Sequence, residues 1–394
     1  MIEVIAPGPY ATVQDLGRPG YAHLGVPRSG AADEPSLRLA NRLVGNPEGA
    51  AGIELTLGGA RLRFTTGAWA AVTGAACPLD LVRPRAALPG GTVPAAAGGV
   101  SVSSVSRMSV SSVSSVGSVG SVGSVGGAST GDASPGETIR RVTVPQGMCA
   151  PFWVPAGGEL RLGMPGTGLR TYVAVRGGVE APVTMGSRST DSLSGLGPAP
   201  LAAGTVLPVG PTGGLPPITV DAAPRPRPGT GVLRVLPGPR DDWFVPGALA
   251  TLCAEPYEVS QDSNRVGVRV RGPRLERARE GELPSEGMVA GAVQVPPSGQ
   301  PIVFLADHPP TGGYPVIAVL TSASLAGAAQ LRPGDRVRFA SPDRPAAGPR
   351  GRRSGVRYRA VHRSPREDGH RRVRAARAWP GQGRPAGLVR APRA

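Results

Sequence analysis

AVQVPPSGQPIVFLADHPPTGGYPVIAV, residues 292–319, decides the fold class. Two apolar runs, IVFLA and VIAV, flank DHPPTGGYP, whose prolines exclude helix and whose paired glycines permit positive φ. Apolar runs this short, bounded by turn residues, read as buried strands. On period alone the segment predicts a β-hairpin. Its uncharged polar residues, Gln294, Ser298, Gln300, Thr311 and Tyr314, raise a second reading, because a β scaffold presents small molecules from stiff polar loops.

Working outward, VLRVLPGP at 232 opens a half that continues through a helix-compatible DDWFVPGALATLCAE and the polar run SQDSNR. LRPGDRVRFA, a turn leading into a strand, closes that half near residue 340. Upstream, residues 216–231 are rich in Pro and Gly and predict a hinge. Residues 1–215 form the other half. There MIEVIAP, IELTL, ARLRF, WAAVTG, ELRLG and TYVAV read as strands. Asp33 and Pro35 start one helix, and Gly45-Asn46-Pro47 ends it. A Ser/Val/Gly repeat near 84–140 reads as a disordered insertion, and residues 341–394 as a disordered Arg-rich tail.

The net charge of +16 suggests nucleic acid until it is located. All 43 basic residues are Arg, and residues 341–394 carry fifteen of them against Asp343, Glu367 and Asp368. That leaves +4 on the first 340 residues, so nucleic acid is not expected as a partner. Cys77, Cys149 and Cys253 show no metal-ligand spacing, and no metal site is expected. The absence of a signal peptide and of a long apolar run predicts a cytoplasmic protein without membrane contact. A Lys-free chain cannot carry a P-loop, and no GxSxG elbow is present.

Three polar constellations remain. Gln14, Asp15 and Arg18 lie on a glycine-rich stretch that can bind a polar substrate or be pinned by a local Asp15–Arg18 ion pair. Asn264 and Arg265 lie in a patch suited to an amide and a carboxylate, or to a capped turn. Asp307 and His308 are the one adjacent acid–His pair before the tail, and a structural His is the default reading. Asp15 and Asp307 are the candidate catalytic residues. Gln14, Arg18, Asn264, Arg265, Gln294, Gln300 and Tyr314 are the candidate substrate-binding residues.

Five motifs occur in an order that resembles the biotin-dependent carboxyltransferase family, which includes the C subunit of 5-oxoprolinase and allophanate hydrolase subunit 2-like proteins. They are TVQDLGRPGYAHLGVPRSGAAD, ANRLVGNPEGAAGIELTLGG, GLRTYVAVRGGV with MGSRSTD, SQDSNRVGVRVRG, and the segment at 292–319. The resemblance implies a mainly β chain of two cyclophilin-like β-barrel halves with a few short helices. It implies a component of an ATP-dependent 5-oxoprolinase converting 5-oxo-L-proline to L-glutamate and inactive alone. The implied partners are a subunit-B-like, kinase-inhibitor-like chain and a LamB/YcsF-like chain, the A subunit of the oxoprolinase. No cofactor is bound covalently, and ATP is used by the complex. One alternative is a carboxyltransferase component acting on urea or another amide, with biotin on a separate carrier. Another is a non-catalytic regulator that binds a kinase inhibitor. The insertion and the Arg-rich end depart from the family pattern, and a shifted reading frame near residue 341 accounts for the latter.

Overall fold

The computed structural model describes residues 1–84, 141–225 and 231–342. The Ser/Val/Gly repeat and the Arg-rich tail, apart from their edges, lie outside the described residues. Among the described residues the architecture is mainly β, with three short α-helices.

Among the described residues, eleven strands build the first half: β1 (Ile2–Pro7), β2 (Tyr10–Gln14), β3 (Gly52–Thr56), β4 (Ala60–Phe64), β5 (Ala68–Gly74), β6 (Leu79–Pro84), β7 (Arg141–Pro145), β8 (Pro151–Val154), β9 (Glu159–Leu162), β10 (Arg170–Val175) and β11 (Val206–Leu207). They form two sheets, β11-β1-β4-β9-β6-β7 and β2-β3-β10-β5-β8. Inward residues of both sheets, among them Val4, Leu62, Leu81, Ile53, Val72 and Val173, share one core. Helix α1 (Glu34–Leu43) starts where the sequence placed it. Asp33 accepts from the Ser36 amide at 3.2 Å and its hydroxyl at 2.8 Å, satisfying one of the donors that a helix start leaves open.

The second half contains β12 (Val232–Pro237), helix α2 (Ala248–Ala254), β13 (Tyr257–Val259), β14 (Gly267–Arg271), β15 (Glu286–Gly287), β16 (Ala292–Gln294), β17 (Ile302–Phe304), β18 (Thr311–Gly312), β19 (Val316–Leu320), helix α3 (Ser322–Ala328) and β20 (Arg336–Ala340). Seven of these strands close a barrel in the order β12-β19-β16-β17-β14-β13-β20. Closure removes the unpaired edge that an open sheet would expose. The barrel has its own core, with Val235, Val259, Val270, Val293, Ile317 and Phe339 inside.

The segment that decided the fold class is not a hairpin of its two apolar runs. Strand β16 lies between β17 and β19 and pairs with both, through Val293–Val303 and Val293–Ala318. The tight turn is PPSGQP, which joins β16 to β17. DHPPTGGYP is too long and too proline-rich for a two-residue turn, so it forms a longer crossover whose β18 pairs with β15 in a separate two-stranded sheet. The predicted hinge is described up to Arg225, and it is tied to the first half: the Ala223 amide donates to the Cys149 carbonyl at 2.7 Å.

Candidate functional site

Period-2 alternation gives the sheet β2-β3-β10-β5 two unlike faces. One carries Ala11, Val13, Ile53, Leu55 and Val173 into the first-half core. The other carries Tyr10, Thr12 and Gln14 on β2, Glu54 and Thr56 on β3, and Arg170 and Tyr172 on β10. Register makes these neighbours: Thr12 lies opposite Glu54, Tyr10 opposite Thr56, and Tyr172 opposite Glu54. A sheet face this polar cannot be buried against an apolar layer without a large desolvation cost. Helix α1 packs on its β10 and β5 part, and the second half brings matching polar groups to it.

Arg265, which follows the turn after β13, and Asp307, in the crossover after β17, provide the match. The Arg265 guanidinium holds Asp307 in two hydrogen bonds, Nε–Oδ2 at 2.9 Å and Nη2–Oδ1 at 3.1 Å. Its Nη1 donates to Glu54 Oε1, and its Nη2 to the Gly30 carbonyl. Arg170 Nε lies 3.4 Å from the same Glu54 oxygen. Tyr172 Oη donates to Glu54 Oε2 at 2.8 Å and accepts from the Asp33 amide at 2.8 Å. All five residues, Glu54, Arg170, Tyr172, Arg265 and Asp307, are buried. Two carboxylates thus face two guanidiniums, and the cluster balances.

These charges fix one another's protonation. Burial alone pushes the Glu54 carboxyl up, but Arg265 and Arg170 outweigh it and hold the group below the usual carboxylate range. Burial likewise disfavours the Arg265 cation, and Glu54 and Asp307 more than reverse that. Burial raises the Tyr172 hydroxyl far above its ordinary value, with the Glu54 and Asp33 carboxylates adding to it, so it remains a donor. Asp33 is raised chiefly by burial. Gln330, after α3, reaches across to Asp33 Oδ2 at 2.7 Å and accepts from the Leu169 and Arg170 amides at 2.8 Å each. A second contact between the halves therefore flanks the ion cluster.

Asp15 and Arg18 do not pair with each other. Each engages the MGSRSTD segment. Asp15 accepts from Ser187 Oγ and Ser189 Oγ at 2.6 Å and from the Gly17 and Arg188 amides at 2.7 Å. Arg18 is buried and donates to Ser189 O, to Ser29 Oγ at 3.3 Å and to Thr184 O at 3.4 Å. Gly17 makes the fold-back possible: at φ 81° a Cβ there would strike the carbonyls of Arg28 and Ser29. The same segment reaches the ion cluster, where Ser192 donates to Asp307 Oδ2 from its amide at 3.0 Å and its hydroxyl at 2.6 Å.

Both candidate catalytic carboxylates are therefore enclosed by donors. The open hydrogen-bonding capacity lies beside them. Gln14 donates to Thr12 Oγ1 and the Thr190 carbonyl at 3.0 Å each, while its own Oε1 is buried without a partner among the described residues. Thr190 Oγ1 is in the same condition. Half-buried Tyr10 lies in the field of Arg265, Asp307 and Glu54, and burial raises its hydroxyl above the ordinary value.

The structure brings Gln14, Asp15, Arg18, Arg265 and Asp307 to one junction. Asn264 caps a turn, its Oδ1 accepting from Val266 at 2.8 Å and Gly267 at 3.3 Å. Gln300 exchanges two hydrogen bonds with the Gly272 backbone, at 2.9 and 3.1 Å. Gln294 donates to the Tyr314 carbonyl at 3.1 Å, and the Tyr314 ring lies under Arg277 at 5.7 Å. His308 stacks on Phe304 at 5.9 Å, and burial lowers its pKa. Sequence reading missed Tyr10, Glu54, Arg170, Tyr172, Ser192 and Gln330. Glu54 had a usable signal, a lone acid inside the apolar run IELTL.

The family model described as carboxyltransferase domain, subdomain A and B, matches residues 24–113 and 124–341. The C subunit of 5-oxoprolinase from Escherichia coli (strain K12) is 32% identical over 350 residues, which is 86% of this chain and 90% of the relative. Lachancea kluyveri urea amidolyase is 31% identical over 86% of this chain, but over 17% of its own length. The crystal structure of a protein designated TTHA0988 superposes with a TM-score of 0.64 at 33% identity, covering 86% of this chain and 55% of that one. The chain thus spans nearly all of the E. coli relative, little over half of the TTHA0988 chain and under a fifth of the amidolyase.

Proposed function

The chain belongs to the carboxyltransferase-domain family, subdomains A and B, and on that premise we propose that it is the C component of an ATP-dependent 5-oxoprolinase. The observation that carries this reading is the likeness to the E. coli 5-oxoprolinase C subunit over 86% of this chain and 90% of that subunit. The junction geometry supports it. A lactam needs an acceptor for its N–H and a donor for its C=O, and Gln14 Oε1 as acceptor and Thr190 Oγ1 as donor have capacity to spare. Asp15 and Asp307 act in this proposal as positioning residues: Asp15 fixes the serine loop, and Asp307 fixes Arg265 and Ser192.

With its carboxylates enclosed, the chain contributes recognition of a planar amide, and proton transfer falls to a partner chain. A subunit-B-like chain and a LamB/YcsF-like chain are the proposed partners. In this proposal ATP is used by the complex, and a Lys-free chain does not bind it through a P-loop. The test is to supply 5-oxoproline and ATP to the chain alone and to the chain with both partners, and to measure glutamate. Activity is expected only in the full mixture. Glutamate from the lone chain, or none from the assembled complex, overturns the reading.

The likeness to urea amidolyase over 86% of this chain favours a second reading, carboxyl transfer to urea or another amide. Carboxybiotin would then come on another protein, since the chain has no Lys to carry it. Urea-dependent consumption of carboxybiotin by the chain, without glutamate formation from 5-oxoproline, distinguishes it.

A further inference from the structure

At the end of β10 opposite Arg170, a cavity of about 440 Å³ opens between the start of β5 and β8. Two of the chain's four tryptophans line it. Trp69 and Trp153 are cross-strand partners whose rings meet edge to face at 5.8 Å. Gly67 makes room for the second indole, because a Cβ at that position would collide with the Trp153 ring. Phe64 and Val209 extend the apolar wall.

Arg176 stands at the same cavity, directly after β10. Carbonyls hold its guanidinium: Nη1 donates to Val44 O at 2.9 Å, and Nη2 to Pro216 O at 2.8 Å and Leu215 O at 3.1 Å. Among the described residues its guanidinium ends on these backbone carbonyls and on no carboxylate, and none of the residues lining the cavity is acidic. The cavity thus presents aromatic faces and an uncompensated, pre-oriented cation. Its volume lies within the roughly 300–1,000 Å³ of small-molecule sites.

We propose that this cavity is a second binding site, separate from the junction, for a flat aromatic anion such as an arylcarboxylate. The ring packs against Trp69 and Trp153, and the carboxylate accepts from Arg176, which supplies a fixed charge without reorganisation. The proposal is independent of the reaction assigned to the junction, and its test measures binding rather than turnover.

The probe is 2-naphthoate, titrated into the full chain by calorimetry, with neutral 2-naphthylmethanol as control. One saturable site is expected, with the neutral analogue weaker by about tenfold, the scale of one charge-assisted hydrogen bond. Arg176→Gln is expected to lower affinity for naphthoate by about tenfold and leave the alcohol unaffected. Because Arg176 also ties down Val44 and Leu215, Trp153→Ala on the sheet edge is the second variant, and it is expected to weaken both ligands. Three results overturn the proposal: no saturable binding at millimolar naphthoate, equal affinity for acid and alcohol, or unchanged binding in a folded Trp153→Ala chain. A dimer in sedimentation that Trp153→Asp dissociates also overturns it, the cavity then being a contact between copies.

Discussion

Replacing Arg265 by Met tests whether the two halves are joined by a balanced buried ion cluster. Met keeps most of the side-chain volume and removes hydrogen bonds to Glu54, Asp307 and Gly30. The cost comes less from the lost attraction than from what remains: two buried carboxylates facing one guanidinium, Arg170, whose ion pair is with Glu54 and not Asp307. Removing one partner of a buried pair costs about 3–5 kcal/mol. Against a total stability of roughly 5–15 kcal/mol, that is a large share. At about 2–4 °C per kcal/mol for a domain of a few hundred residues, the melting temperature falls by roughly 10 °C. The assay is urea unfolding followed by circular dichroism at pH 7.5 and 5.5.

The pH arm carries the sign. In the native chain Glu54 has a depressed pKa, so its contribution is present above the unfolded carboxylate value and lost as pH falls through the folded one. In Arg265→Met, burial is no longer outweighed and Glu54 takes up a proton more readily. The variant's deficit against the native chain therefore shrinks at pH 5.5. Adding Glu54→Gln and Asp307→Asn removes the stranded charges and recovers part of the loss. A deficit below about 1 kcal/mol at pH 7.5, the range of an exposed pair, refutes the reasoning, as does a deficit that grows at lower pH.

Gln330→Leu deletes hydrogen bonds to Asp33, Leu169 and Arg170 and leaves buried amides unpaired, so a loss of about 2–3 kcal/mol is expected in the same urea assay. Gln14→Met keeps the packing but removes the free acceptor. In the assembled oxoprolinase it should raise KM for 5-oxoproline about tenfold or more, with thermal stability lowered by about 1 kcal/mol. His308 has a lowered pKa, so folding disfavours its cation and stability falls as pH drops below its unfolded value near 6.5. His308→Asn should flatten that limb of a stability–pH curve measured between pH 7.5 and 5.

Much of the fold was legible because it rests on local signals. Asp33 and Pro35 marked the start of α1, and the alternating runs at 53–57, 60–64 and 336–340 became β3, β4 and β20. Pairing was not legible. IVFLA and VIAV are neighbouring apolar runs in the sequence, yet β16 separates them in the barrel, because partner choice depends on closing the barrel and no local residue encodes it. The Asp15–Arg18 pair failed for a related reason. Gly17 folds the loop so that each charge meets a segment some 170 residues away.

The residues at 12–18, 187–192, 265 and 307 carry in themselves the capacity to bind a polar group, and composition alone moved the positive charge off the first 340 residues. Only the tertiary structure shows which of those groups are spent. Asp307 and Asp15 are enclosed by donors from distant segments, while Gln14 Oε1 and Thr190 Oγ1 retain open capacity. Glu54 and Arg170 become partners across a sheet face that no window of sequence contains. The physical reason is that hydrogen-bond capacity is a property of side-chain type, whereas its satisfaction depends on what long-range packing places within about 3 Å.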